Sequence, residues 1–218
     1  MKTQTILLCL LATVVCAQPL LPIGGIPPTP AQMDWVRFSL QTSESVPNMG
    51  ERPSGESVSA VRLKHKVPGK AARAFVRGFK LAVAGSPKAA AQAFQSAVAI
   101  DPAFSEAHGD LGVEDTLLGL YDEATAEFRR AIELDPATAT HHANLAYVLI
   151  KLKRHGEAEP EAQTAVGLDS TDAKAQLLLG FLLARRPETR DRAIPHLEYA
   201  ARVIPIAHQI LQQVRQQP

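Results

Sequence analysis

From Gly69 to the end of the chain, small, aromatic and proline positions return with a period of about 34 residues. The copies run Ala71–Phe104, Ser105–Thr138, Ala139–Asp172 and Ala173–Ala207, the last with one extra residue. Asp101-Pro102 near the end of the first copy recurs as Asp135-Pro136, then as Asp169-Ser170 and Ile204-Pro205. A fixed period in this range marks a solenoid, in which each unit is a helix pair that buries its apolar face only against its neighbours. The first copy predicts a helix over about 69–84 and a second after Gly85-Ser86-Pro87, where Ser86 can cap and Pro87 suits the first helical turn. The later copies predict breaks near Gly119–Asp122, Arg154–Gly156 and Arg186–Thr189, the last holding the extra residue. After Pro205, Ile206–Gln216 reads as an amphipathic helix with Ile206, Ile210, Leu211 and Val214 on one side. Such a helix would cover the open end of the stack.

Upstream of Pro68 the pattern changes. Residues 1–17 read as a signal peptide: Lys2 supplies the charge, Ile6–Val15 is an apolar run too short to span a bilayer, and Val15-Cys16-Ala17 offers small residues for cleavage before Gln18. Lipid attachment at Cys16 and an uncleaved anchor are the alternatives. Gln18–Pro30 is dense in proline and glycine and reads as a semi-extended linker. Asp34–Leu40 sets Val36, Phe38 and Leu40 on one side with Trp35 opposite, and Ser57–Leu63 alternates more weakly. Two such short stretches bury little by themselves. The expected organisation is a signal peptide over 1–17, a Pro/Gly-rich segment over 18–67, and a helical repeat domain over 68–218.

The copies resemble the tetratricopeptide repeat family, which has small residues at the eighth, twentieth and twenty-seventh positions of a unit, an aromatic at the twenty-fourth and proline at the thirty-second. The first copy supplies Gly78, Ala90, Phe94, Ala97 and Pro102, and the second Gly112, Ala124, Phe128, Ala131 and Pro136. The third has Ala146, Ala158, Ala162, Ala165 and Ser170, departing at the aromatic and the proline. The fourth has Gly180, Ala193, Leu197, Ala200 and Pro205. Pro160 and Pro195 fall at one common place, read as early in each second helix, where a missing N–H costs little. The resemblance implies an all-α, right-handed superhelical solenoid of about four helix pairs with a C-terminal capping helix.

It also implies a concave groove lined by the first helices. The fifth and ninth positions are Phe75 and Phe79, Gly109 and Val113, Ala143 and Tyr147, and Leu177 and Phe181, an uncharged and largely apolar stripe. Asn144, at the sixth position, can bond an extended backbone with both donor and acceptor. The candidate groove residues are therefore Phe75, Phe79, Val113, Asn144, Tyr147, Leu177 and Phe181. Some relatives clamp a terminal carboxylate with lysine, asparagine and arginine. Phe75, Phe79, Gly109 and Val113 stand where that charge belongs, so the expected occupant is an apolar or amphipathic peptide or helix. Residues 34–63 of the chain itself are a rival occupant.

Composition and charge add limits. The 218 residues carry a formal charge of +1, which points to no nucleic acid. Both cysteines, Cys9 and Cys16, lie in the leader, so a processed chain has no thiol chemistry. Loss of Lys2 with the leader leaves 22 basic against 22 acidic residues. His141 and His142 are adjacent on a helix and point about 100° apart, too far to share a metal readily. His108 stands one repeat before His142, and the two could stack as a weak metal or proton-sensitive site, whereas His65, His155, His196 and His208 show no partner spacing. Glu157, Glu159 and Glu161 suit a helix start, and the basic clusters at Arg62 with Lys64–Lys66, Lys151–Arg154 and Arg185-Arg186 suit solvated turns or an anionic surface. No nucleophile elbow or phosphate loop is present. The reading is a non-enzymatic, cofactor-free scaffold or adaptor, exported to the periplasm or secreted, near a membrane in an envelope assembly, with a protein or peptide partner. A periplasmic carbohydrate or polymer binder and an enzyme-regulatory subunit are the other classes.

Overall fold

A computed structural model describes residues 65–216. Those residues form α1 (Gly69–Val83), α2 (Pro87–Ile100), α3 (Ser105–Leu118), α4 (Tyr121–Leu134), α5 (Ala139–Lys151), α6 (His155–Leu168), α7 (Ala173–Ala184), a 3-10 turn (Pro187–Thr189), α8 (Arg190–Ala201) and α9 (Pro205–Gln216). The leader, the Pro/Gly-rich stretch and the two candidate strands lie outside the described residues. Each helix packs against the next, and the first helices α3, α5 and α7 also touch one another in sequence. The result is the all-α solenoid expected of four helix pairs plus a cap.

Two recurrent turns set the geometry. Within the first three units the chain reverses through a left-handed residue at Gly85, Gly119 and Lys153, each 34 residues after the last (φ 73°, 79° and 61°). At Gly119 the amide donates to the Thr116 carbonyl at 3.1 Å and that of Leu120 to Asp115 at 2.8 Å. Gly85 and Lys153 repeat this pair of bonds, which satisfies the last helical carbonyls. In the fourth unit the extra residue converts this reversal into the 3-10 turn. Between units, Asp101, Asp135 and Asp169 each accept from the amide two residues on, at 3.2, 3.3 and 2.8 Å. That local bond explains the recurring Asp, and the following Pro102 and Pro136 preset the turn.

Helix packing follows the small-to-large pairing of the repeat. Phe94, Phe128 and Leu197 are almost fully buried, and each fills the space over the glycine of its own unit, Gly78, Gly112 and Gly180. The third unit, with Ala162 in place of an aromatic, carries Ala146 instead of glycine. α3, α5 and α7 are buried on nearly all sides, while α4, α6 and α8 bury mainly one stripe of small and aromatic residues. The first helices are thus an inner layer and the second helices an outer one. α9 buries Ile206, Ile210, Leu211 and Val214 as expected, each contributing roughly 1.5–3 kcal/mol.

Three local expectations change. The Ser86 side chain makes no cap bond, although Pro87 does open α2. Pro160 and Pro195 are each the sixth residue of α6 and α8, past the first turn, so each forgoes one i→i−4 bond. The carbonyls released belong to Gly156 and Asp191, both at exposed residues open to solvent.

Candidate peptide-binding groove

The seven groove candidates divide into two groups. Val113, Tyr147 and Leu177 are buried in one apolar cluster that joins α3, α5 and α7, with Phe181 at its margin. Asn144 is 2% exposed, and its side-chain carbonyl accepts a bond from Lys174 Nζ. Phe75, Phe79 and Phe181 are half-buried and offer surface. The Phe75 ring sits 5.4 Å from that of Phe94 and 4.9 Å from that of Phe104, both tilted, so it also ties the first unit to the second. The uncharged stripe thus serves largely to pack one first helix on the next.

Charge lies beside that stripe, at positions the hydrophobic pattern did not single out. Glu106, Asp110 and Glu114 stand four apart on α3, on one side of the helix. Burial first, then the carboxylates of Glu114 and Glu106, push Asp110 up to about 7. On the later units the sign reverses. Burial lowers Lys174 to about 8 against the opposing pull of Asp172. Burial likewise lowers Lys151, whose Nζ sits 5.8 Å over the Tyr121 ring. Burial and then Tyr121 push the Tyr147 phenol far above its ordinary range. Arg185 lies 5.9 Å over Phe181. The inner helices therefore run from acidic on α3 to basic on α5 and α7, a polarity visible in the four-residue spacing of the three acids.

The histidines occupy built positions. His108 Nδ1 is 2.7 Å from Glu127 Oε2 and its Nε2 3.1 Å from the Pro102 carbonyl. His142 repeats both contacts with Glu161 and Pro136 at the same distances. The two rings therefore bind separate partners in separate units. Both nitrogens of each ring lie within hydrogen-bond reach of an acceptor. In the fourth unit Gln176 takes the histidine's place: its amide donates to the Ser170 carbonyl at 2.8 Å, and its oxygen lies 2.7 Å from His196 Nδ1. His65 and His196, which showed no partner spacing in the sequence, thus have partners: His65 Nε2 is 2.7 Å from Asp101. The Glu157–Glu161 row also finds specific partners, with Arg154 and Arg129 on Glu157, Arg186 on Glu159 and His142 on Glu161. The Ser105 hydroxyl donates to the Ala131 carbonyl at 3.2 Å, and His141 Nε2 lies 3.3 Å from Ser105 Oγ, so that serine is bound into the interface between units. Among the described residues no group of three His, Cys, Asp or Glu side chains could hold a metal ion.

The tetratricopeptide repeat profile matches residues 105–138 and 142–172, the second and third units. Solved structures of the same fold include YrrB, a tetratricopeptide-repeat protein with an unusual peptide-binding site (22% identity over 66% of this chain and 75% of that one, TM-score 0.58). MamA from Desulfovibrio magneticus RS-1 is similar at 22% identity, over 69% of this chain and 86% of that one, with a TM-score of 0.61. Thermobaculum terrenum O-GlcNAc transferase, as its K341M mutant, matches at 24% identity and TM-score 0.56, over 63% of this chain and 27% of that one. No curated protein sequence matches. The chain carries tetratricopeptide repeats; its first unit shares the turns and the glycine packing of the second, and its fourth shares the glycine packing.

Proposed function

We propose that this tetratricopeptide-repeat solenoid is a non-catalytic scaffold or adaptor that holds an amphipathic segment of a partner protein in its concave groove. The repeat fold is a protein-interaction fold, which sets the class of function. The observation that carries the finer reading is the polarity of the inner helices: half-buried Phe79 on α1 precedes the carboxylates of α3, and half-buried Phe181 on α7 follows the Lys151 cation of α5, with Arg185 over its ring. A segment suited to that surface places apolar side chains along the groove, a basic residue at α3 and an acidic one toward α7. Fixed charge of both signs sets the direction of the bound segment, and the aromatic rings supply desolvated area. The sequence of residues 1–17 supports export, and the proposed setting is the periplasm or cell envelope of a bacterium. Tyr147 is too buried for a clean test. Phe181→Ser combined with Asp110→Lys alters surface on both sides of it. Crosslinking and mass spectrometry from intact envelopes would supply the partner, and the doubly substituted chain should then lose most of its capture while keeping its helical circular dichroism. Undiminished capture by that variant would refute the groove.

A further inference from the structure

The first-unit end of the groove sets two unlike stripes side by side. On α1 the sixth, ninth and thirteenth positions of the unit carry Val76, Phe79 and Val83, and Val76 and Val83 are 36% and 70% exposed. One repeat later the same positions on α3 are Asp110, Val113 and Leu117, with Glu106 and Glu114 four residues to either side of Asp110. Asp110 is half-buried, and no ion pair to it is present among the described residues. Burial, and then the like charge of Glu114 and Glu106, holds its proton on well above the ordinary carboxylate range, and a cation placed there would oppose that shift. The outer end of α1 is different: Arg73, Arg77 and Lys80 are exposed along it and give the stack a polar cap. A segment carrying one cation among apolar residues therefore fits the α1–α3 groove and not the end of the stack.

The chain itself brings such a segment to this place. His65 is anchored on Asp101 at the turn into α3, and Val67 packs with Ala71 and Phe104. Upstream, Asp34–Leu40 holds a single cation, Arg37, among Trp35, Val36, Phe38 and Leu40. The 24 residues between Leu40 and His65 give a coil of that length a root-mean-square reach of about 25–30 Å. First helices spaced about 10 Å apart place α1 and α3 well inside that reach. A tether of this kind presents its segment at an effective concentration on the order of mM. We propose that Asp34–Leu40 occupies the first-unit end of the groove, with Arg37 against Asp110 and its apolar neighbours on Val76, Phe79 and Val83. The inference rests on the same groove as the proposed function and names an intramolecular occupant that a partner must displace.

Trp35 is the only tryptophan in the chain, so its fluorescence reports this contact directly. In the full chain the indole should emit as a shielded group and resist acrylamide. Arg37→Glu should raise the quenching constant several-fold and shift the emission to that of a solvated indole, with circular dichroism unchanged. Asp110→Arg should do the same, and the two together should restore shielding. Phe38→Ser, also outside the repeats, gives a second release if Asp110→Arg fails to fold. Three results would each overturn the proposal: an indole already solvated in the unaltered chain, shielding indifferent to these substitutions, or shielding lost on dilution, which would assign it to a second copy. The readout needs no partner, so failure here leaves the proposed capture test standing, and failure of capture leaves the docked segment standing.

Discussion

At the scale of the residue, the eighth position of each unit is chosen by what stands over it. A Cβ on Gly112 would lie 2.9–3.0 Å from three atoms of the Phe128 ring, and one on Gly180 would lie 2.8 Å from Leu197 Cγ. Real Cβ contacts are not that close, and Phe128 is fully buried with no room to retreat. Gly167, in the last turn of α6, meets nothing within 4 Å. The same substitution should therefore act in opposite directions at the two sites. Gly112→Ala gains about 1 kcal/mol of helix propensity and loses more to overpacking, for a net loss of roughly 1–2 kcal/mol. Gly167→Ala keeps the gain and should stabilise by about 0.5–1 kcal/mol. Urea unfolding midpoints would separate them, and Gly112→Ala should cost less in a Phe128→Leu background. Equal effects at the two sites would show that ring contact does not select the glycine.

At the scale of the element, the two His–Glu pairs tie the first helix of a unit to its second and to the preceding turn. Burial opposes a charged ring at His142, but the Glu161 carboxylate, then the Pro136 carbonyl, outweigh it and hold the pKa above its ordinary value. A base whose folded pKa is raised adds stability that is complete below its unfolded pKa, about 6.5, and is lost as pH rises through the folded value. The stability difference between the unaltered chain and His142→Gln should therefore shrink as pH rises above about 6.5. His196, in the equivalent fourth-unit pair, is shifted the other way by burial and then Arg192, so its share is lost as pH falls below about 6.5. Denaturation midpoints across that range test the difference, and a difference that does not change with pH would deny the pair its charge. The pairs were hard to read in the sequence because Glu127 and Glu161 lie on other helices, 19 residues from their histidines. Only the recurrence of that spacing in two copies marked them. Turns at Gly85 and Gly119 were legible because glycine favours positive φ, whereas Lys153 takes the same conformation with no such signal. Pro160 and Pro195 were read as early in their helices, and each stands past the first turn, at an exposed position.

At the scale of the whole molecule, the period alone conveyed the architecture, since a unit that cannot bury its own face dictates a stack. The candidate groove was only partly legible. The fifth and ninth positions looked like surface by register, yet Val113, Tyr147 and Leu177 are needed to join one first helix to the next. The acids and bases that give the inner layer its polarity lay at neighbouring positions, where charge has the solvated surface as its ordinary explanation. Each unit contacts chiefly the units before and after it, so damage at one end should stay there. Ile210 is buried in the packing of α9 beneath the last unit. Ile210→Asp removes roughly 1.5–3 kcal/mol of burial and would strand a carboxylate, a combined cost of at least about 3 kcal/mol. α9 should detach, exposing apolar surface on α7 and α8. Hydrogen exchange should then quicken through α7, α8 and α9, while the amides of α1 and α2 keep their protection. Apolar dye binding should rise in parallel. A uniform loss of protection along the whole repeat domain would instead mean that the four units unfold as one, and that the stack is held by more than its nearest-neighbour interfaces.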